Sequence, residues 1–418
     1  VNATQYAEMA NEASVATGLS PIYNKTEMDI IKYGLDPDLY PNIDWQDVIL
    51  NPNSFQQTYY VSAQGGSSVA RYFASLGMSK ESAAYNPSKD SKYNKGVGYD
   101  TYNYRLNLDI DLTKTTKVYI GTTGYMSVNT RPSMGEYSRG VSLTDWLWSS
   151  QAKTTPISYP LRYSNGYYPA AGTKDEISPY VLLNYTGNAR EQNTRNLVTL
   201  GITQDLSMIT PGLSAQVRVT YDNSADIADS RTKSYAYSVA TPVRDAAGNI
   251  SDLSYSRYGN DTEMSFTSGL QAQVMRTYIW GKVNYEREFG KHHLDIAGIY
   301  SQGRRKYLGA NGTNAFRDYM AHLSYNYDNR YLADVVCSYS GSLKMPVGDK
   351  YRVYPAVSVA WIASNEEFMH RFSALDYLKL RASFGVTGND SRLFYDMDKQ
   401  FNGPGQEYVF VGTTSTGG

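Results

Sequence analysis

Tyr319-Met320-Ala321-His322-Leu323-Ser324-Tyr325-Asn326-Tyr327, then Asp328-Asn329-Arg330, then Tyr331-Leu332-Ala333-Asp334-Val335-Val336-Cys337-Ser338-Tyr339-Ser340: this stretch decides the fold. In the first run Tyr319, Ala321, Leu323, Tyr325 and Tyr327 fall on one face, and Met320, His322, Ser324, Asn326 and Asp328 on the other. The second run sets Tyr331, Ala333, Val335, Cys337 and Tyr339 against Asp334, Ser338 and Ser340. Two further runs follow. One carries Val353, Pro355, Val357, Val359 and Trp361; the other sets Leu378, Leu380, Ala382, Phe384 and Val386 against Lys379, Arg381, Ser383 and Gly385. A period of two predicts strands with one apolar and one polar face.

Alternation alone fits a soluble sandwich with its apolar face inward, or an outer-membrane barrel with that face on lipid and a wet polar lumen. The aromatic residues favour the barrel. Tyr319, Tyr325, Tyr327, Tyr331, Tyr339 and Trp361 gather at strand ends, where barrels carry aromatic girdles. Composition agrees: the 418 residues include 40 Tyr but 11 Phe, and Tyr suits interfaces and sugar-binding surfaces. A secreted all-β protein could also be rich in Tyr.

The formal net charge of -1 argues against a nucleic-acid binder. No run of about eighteen apolar residues exists, so no transmembrane helix is predicted, and a mean hydropathy of -0.49 leaves a barrel open. Cys337 is the only cysteine, which leaves no disulfide within the chain; it reads as a small residue on an apolar strand face. Val1 is not an initiator Met, and Thr413–Gly418 reads as a loop, so an internal segment of a longer protein is expected.

The same region carries a resemblance. Tyr325-Asn326-Tyr327-Asp328-Asn329-Arg330-Tyr331-Leu332, Tyr354-Pro355-Ala356-Val357-Ser358-Val359-Ala360-Trp361 and Asn365-Glu366-Glu367-Phe368-Met369 lead into Leu378-Lys379-Leu380-Arg381-Ala382-Ser383-Phe384-Gly385-Val386-Thr387-Gly388-Asn389-Asp390. Upstream stand an opening Asn2-Ala3, Tyr40-Pro41-Asn42-Ile43-Asp44-Trp45 and Arg71-Tyr72-Phe73-Ala74-Ser75-Leu76-Gly77. Together they resemble the SusC/RagA-type TonB-dependent outer-membrane transporters of Bacteroidota, over most of the chain.

Working outward, Asn2 caps a short helix through Ala13 that Gly18 stops, and a second helix is expected from Lys25 to Tyr33. Residues 1–56 are expected to be a loop segment with short helices before the first barrel strand. Residues 57–418 are expected to be barrel strands and extracellular loops. Thr58–Gln64 and Val69–Ser79 flank a Gly65-Gly66-Ser67-Ser68 turn, and Tyr102–Leu112 turns through Thr113-Lys114-Thr115-Thr116 into Lys117–Val128. Long loops are expected over Arg131–Asn193, Asn223–Phe266 and Gly303–Asn314, with a long strand over Gln271–Glu288. The reading totals about twelve strands. The resemblance implies an all-β, antiparallel transmembrane barrel of twenty-two strands, of which this chain supplies a part. The plug domain and TonB box of that family are not visible in these residues.

No enzyme constellation appears: no Gly-x-Ser-x-Gly elbow, P-loop or His-Glu-x-x-His is present. Glu366-Glu367 reads as a solvated turn rather than a glycosidase pair, and His292-His293 as a hairpin tip rather than a metal site. Asp222, Asp226 and Asp229 offer oxygen ligands of the kind Ca²⁺ takes, without EF-hand spacing; a solvated acidic loop explains them more simply. No catalytic, cofactor or metal site is expected.

The resemblance implies TonB-dependent import of a glycan or peptide across the outer membrane. The partners it implies are a SusD-like lipoprotein lid, the TonB–ExbB–ExbD complex reached through parts outside this chain, outer-membrane lipid, and an oligosaccharide or oligopeptide solute, with lidded barrels that often pair as dimers. Trp146, Trp148, Tyr163, Tyr167 and Tyr168 in the long loops are candidates for solute or lid contact; packing of the loops on themselves is the plainer account of each. The rival readings are a passive porin or adhesin barrel without TonB coupling, and a secreted all-β carbohydrate-binding protein.

Overall fold

The computed structural model describes residues 1–89, 91, 97–133, 154–170, 178–246, 248, 250–308, 313–345, 348–371 and 375–390. Its helices are α1 (Ala3–Ala16), α2 (Lys25–Tyr33), α3 (Trp45–Ile49) and α4 (Pro179–Asn184). The strands are β1 (Gln56–Gly66), β2 (Ala70–Ser82), β3 (Gly98–Asp111), β4 (Thr116–Pro132), β5 (Tyr168–Pro169), β6 (Gly187–Asp205), β7 (Leu213–Thr232) and β8 (Tyr237–Arg244). They continue as β9 (Ile250–Tyr258), β10 (Ser265–Phe289), β11 (His292–Tyr307), β12 (Thr313–Tyr327), β13 (Tyr331–Ser342), β14 (Tyr351–Ile362) and β15 (Lys379–Gly385). Twelve of them form one sheet in sequence order, with β5, β8 and β9 set aside in a separate three-stranded sheet. Every pairing within the large sheet is antiparallel.

The register sorts side chains into two chemically distinct faces. Leu213, Tyr285, Ile296, Leu323, Val335, Val357 and Phe384 form one row across the strands. A second row on that face runs Val217, Gly281, Tyr300, Tyr319, Tyr339, Val353. The opposite face carries Arg218, Trp280, Ser301, Asp318, Ser340 and Arg352. The apolar face is not covered by other elements: Leu200, Ile202, Val217, Val335, Val357, Val359, Leu380 and Phe384 are all exposed. A water-soluble sandwich would bury such a face, whereas a barrel presents it to lipid. No helix among the described residues is long and apolar enough to cross a membrane.

Connections differ at the two ends of the sheet. At one end β3 and β4 join through residues 112–115, β10 and β11 through 290–291, and β12 and β13 through 328–330. Asp328 and Asn329 hold φ of 55° and 50° there, a left-handed conformation that short Asx side chains tolerate. At the other end the connections of residues 83–97, 133–186 and 233–264 are long and those of 308–312 and 343–350 are shorter, while 363–378 between β14 and β15 is a longer connection at the first end. Short turns on one side and long loops on the other are the arrangement of outer-membrane barrels.

The strands outrun the expected boundaries at the long-loop end. Asn223–Phe266, expected as loop, contains the upper half of β7, the β8–β9 hairpin and the start of β10. β6 starts at Gly187, inside the loop expected to reach Asn193, and β11 runs on to Tyr307, past the expected loop start at Gly303. His292 and His293 are the first residues of β11, paired with Phe289 and Glu288, rather than the hairpin tip itself. α1 runs to Ala16, beyond the expected Ala13. At 25 residues, β10 spans roughly 80 Å at about 3.3 Å per residue, against an apolar band about 25 Å tall, so much of it stands above the membrane. Polar residues there meet water on both faces, which removes the apolar stripe that marks a strand in sequence.

Candidate functional site

Two parts of the structure could handle a solute: the polar face of the sheet and the layer built above its long-loop end. On the polar face, Asp222 of β7 lies between Arg195 of β6 and Arg276 of β10. Arg195 Nη2 and Nε donate to the two carboxylate oxygens at 2.8 and 3.2 Å, and Arg276 Nη1 donates to Oδ2 at 3.1 Å. The Asp222 side chain is 7% exposed, so the two guanidiniums are the groups that compensate its burial. Nearby, Tyr119 lies over Gly121, where a Cβ would sit 2.4 Å from its hydroxyl, and Arg218 covers the ring at 5.6 Å.

The three aspartates considered for Ca²⁺ do not converge. They lie along β7, and Asp229 falls on the opposite face from Asp222 and Asp226, because odd and even positions of a strand diverge. Asp229 accepts from Ser268 at 2.5 Å. Among the described residues no group of three or more acidic, His or Cys side chains is placed to hold a metal ion.

Above the sheet, the N-terminal segment, the loop 154–170 and the β8–β9 hairpin pack into one layer. Asn2 and Gln5 form a reciprocal capping box on α1, and Asn24 and Glu27 form another on α2. Trp45 and Ile49 pack with Tyr159, while Ala3, Ala7 and Ile31 pack with Ile157. Burying each of the larger of these side chains is worth about 1.5–3 kcal/mol. Trp45 Nε1 donates to Thr155 O at 3.2 Å, and Ile43 N to Pro156 O at 3.0 Å. Polar ties complete the layer. Glu27 Oε1 accepts from Tyr40 Oη at 3.0 Å and from Arg244 Nη2 at 2.9 Å, and Asp38 accepts from Ser164 N at 2.9 Å and Tyr255 Oη at 3.2 Å.

These contacts set the local electrostatics. Burial acts to raise the Glu27 carboxyl, but the Asn24 amide, Arg244 and Tyr40 outweigh it and hold it below the usual glutamate value. Tyr255 is pushed up to about 12, by burial first and then by the Asp38 charge and its hydrogen bond. Tyr40 is raised by burial and by its hydrogen bond to Glu27.

Of the five candidate contact residues, Trp146 and Trp148 lie outside the described residues. Tyr163 is 6% exposed; Ala240 N donates to its hydroxyl at 3.4 Å, and its ring meets Tyr255 edge-on at 5.2 Å. Tyr168 begins β5 and packs against Tyr185 and Tyr235 at 5.3 and 5.1 Å. Tyr167 is 40% exposed, with Arg257 5.6 Å from its ring centroid. The sequence reading missed Glu27, Asp38 and Arg244, the residues that tie the layer together. The Asn24-x-x-Glu27 spacing before an apolar run was the available signal.

No protein-family model matches the chain. It is similar to TonB-dependent receptor P26 of Formosa agariphila, at 24% identity over 386 residues that cover 86% of this chain and 35% of the relative. TonB-dependent receptor P3 of the same organism is 22% identical over 90% of this chain and 37% of the relative. A shorter stretch of 78 residues is 28% identical to TonB-dependent receptor SusC of Bacteroides thetaiotaomicron, covering 19% of this chain and 8% of SusC. The chain thus spans about a third of the length of the two relatives it matches most fully. Among solved structures its fold is similar to the RagAB peptide transporter, with TM-score 0.56, 15% identity and coverage of 88% of this chain and 40% of that one. The RagAB peptide importer in the open-open state gives TM-score 0.60, 14% identity and coverage of 92% and 44%. By sequence the chain is similar to TonB-dependent receptors, SusC among them, and by fold to RagAB; its twelve-stranded sheet is wall of an outer-membrane β-barrel.

Proposed function

We propose that this chain is part of a TonB-dependent importer that carries a glycan or peptide nutrient across the outer membrane under a SusD-like lipoprotein lid. The observation that carries the reading is the similarity to TonB-dependent receptors along 86% and 90% of the chain, joined to a sheet with an apolar face for lipid and a charged face for a lumen. A wide polar lumen closed by a plug needs energy to open, and the outer membrane has no nucleotide supply of its own. Coupling to TonB–ExbB–ExbD would supply it.

The layer above the sheet is suited to face a lid. Leu19, Ile22, Tyr33 and Leu35 are 67%, 59%, 65% and 68% exposed on its N-terminal part, an apolar group that a lipoprotein partner would cover. Among the described candidates, Tyr167 is the exposed one, open to solute or lid. The barrel would work singly or in pairs of lidded barrels.

The test is growth and uptake of the cognate nutrient in cells carrying the whole gene, with and without tonB and the gene for the lid. The reading predicts that loss of tonB abolishes uptake and that the lipoprotein co-purifies with the barrel. Uptake that survives loss of tonB would favour a passive porin, and no uptake with retained surface adhesion would favour an adhesin.

A further inference from the structure

Two adjoining clefts lie on the polar face near the long-loop ends of β10 to β14, with volumes of about 380 and 670 Å³. Both are within the size range of small-molecule sites. They share Phe316, Ser342 and Asp390, so together they make one elongated depression rather than two separate ones. On the polar face their cations are Arg276, Arg305, Lys344, Lys350 and Arg352, while Arg304 borders the smaller cleft from the opposite strand face. We propose that this depression is the subsite for an acidic oligosaccharide, one bearing carboxylate or sulfate groups. The proposal rests on the import reading above and names its substrate class.

The charge balance supports an anion. With Arg195, which shares Asp222 with Arg276, six cations stand against the carboxylates of Asp222, Asp318, Asp349 and Asp390. Two positive charges remain uncompensated within this group. Arg305 contributes one of them: it lies over the Tyr307 ring at 4.6 Å. On a lumen wall with low-dielectric backing, such an excess concentrates anionic solutes.

The aromatic surface supports a sugar. Tyr278 and Phe316 are 37% and 41% exposed on the polar face, with ring centroids 6.2 Å apart and planes 39° from one another. Apolar rings left bare on a wet wall lose free energy unless a ligand covers them. Their flat faces suit the C–H faces of a pyranose. Phe316 is held in place by a gap in the wall: a Cβ on Gly303 would lie 2.2 Å from its ring. Ser342 Oγ and Lys344 Nζ donate to Asp390 at 2.5 and 3.2 Å and fix the rim between the two clefts.

The test uses the whole protein purified in detergent from outer membranes. Binding of oligogalacturonate, alginate and chondroitin sulfate oligosaccharides is measured by calorimetry. Each is set against its carboxyl-reduced, and where needed desulfated, counterpart and against an acidic peptide of equal charge. At least one acidic oligosaccharide should bind, and its neutral counterpart at least tenfold more weakly. Arg305→Gln should weaken binding about tenfold and flatten its salt dependence. Phe316→Leu and Gly303→Val should weaken it without changing that dependence. Heat-modifiable gel mobility identifies any variant that has failed to fold, and for those Tyr278→Leu replaces the aromatic test. The proposal is overturned if none of the acidic oligosaccharides binds, if neutral counterparts bind equally, if the peptide binds more tightly, or if folded Arg305→Gln keeps full affinity. The import reading fails separately, when uptake in cells does not depend on tonB even though the purified protein binds acidic oligosaccharides.

Discussion

Arg244 reaches Glu27 across 217 residues of sequence, its Nη2 2.9 Å from the carboxylate Oε1, and so ties the β8 strand to the N-terminal cap of α2. The other oxygen, Oε2, accepts from the Asn24 amide at 2.9 Å. One carboxylate therefore starts a helix and anchors a hairpin. Glu27→Gln should loosen both, by roughly 1–3 kcal/mol locally, the size of a hydrogen bond to a charged group. Hydrogen exchange over residues 25–33 and 237–244 is the measurement, and unchanged protection there would contradict the assignment.

The same carboxylate gives the layer a pH dependence. Its value in the folded protein is depressed, so its stabilising contribution is complete above the ordinary glutamate value of about 4.3 and is lost as pH falls through the depressed value. Exchange protection of α2 should therefore hold at neutral pH and drop below about pH 4. In Glu27→Gln the drop should be absent.

Tyr255 joins the hairpin to the N-terminal segment through Asp38, and its ring meets Tyr163 and Tyr167 at 5.2 and 6.0 Å. Tyr255→Phe keeps the ring and removes the hydroxyl. It should cost about 1 kcal/mol, seen as faster exchange at residues 161–168. Tyr255→Ala should cost more, because the edge-to-face contacts go too.

Gly212 sits in the turn between β6 and β7 with φ +90°, and a Cβ there would lie 1.9 Å from the Glu286 carbonyl oxygen. Both the backbone conformation and the contact exclude a side chain. Gly212→Ala should destabilise the barrel by about 1–3 kcal/mol, read as a lower melting temperature on heat-modifiable gels.

Much of this architecture was legible in the sequence where one strand face meets lipid and the other water. Tyr331, Ala333, Val335, Cys337 and Tyr339 keep one face apolar, with Leu332 and Val336 the two apolar residues on the other face, and the Asp328-Asn329-Arg330 turn falls where the residues place it. Legibility failed where both faces meet water. Asn223–Thr232 is polar at nearly every position and reads as loop, yet it pairs with β6 and β10 throughout. The β8–β9 hairpin was also missed, though Tyr235, Tyr237 and Val239 alternate with small residues before the Asp245–Gly248 turn. Tyr163 and Tyr168 are candidates for solute or lid contact by their place in a long loop, with packing of the loops as the plainer account. Tyr163 is buried and Tyr168 half-buried through Ala240 and Tyr235, partners far along the chain that no local pattern reveals.

Side-chain direction also yields a contrast in tolerance. Val335 pairs with Leu323 and Val357 on the apolar face, while Ser338 pairs with Met320 and Tyr354 on the other. Val335→Arg should cost about 2–4 kcal/mol, the penalty for a cation at the lipid-facing midplane of a barrel. Ser338→Arg, facing the lumen, should change barrel stability much less. Equal costs in folding assays from denaturant into lipid vesicles would contradict the assignment of faces.

Cys337 and Ser338 are neighbours on opposite faces of β13, and this pair gives the most direct test of the central claim that one face meets lipid and the other a wet lumen. A nitroxide is placed on Cys337, or on Ser338→Cys in a Cys337→Ser background, in the whole protein in lipid bilayers. Collisions with oxygen and with a water-soluble nickel chelate are then measured by electron paramagnetic resonance. The account predicts that the label at 337 meets oxygen and not the chelate, and that the label at 338 has the lower ratio of oxygen to chelate collisions. Equal ratios at the two sites, or chelate access at 337 in the bilayer, would contradict it.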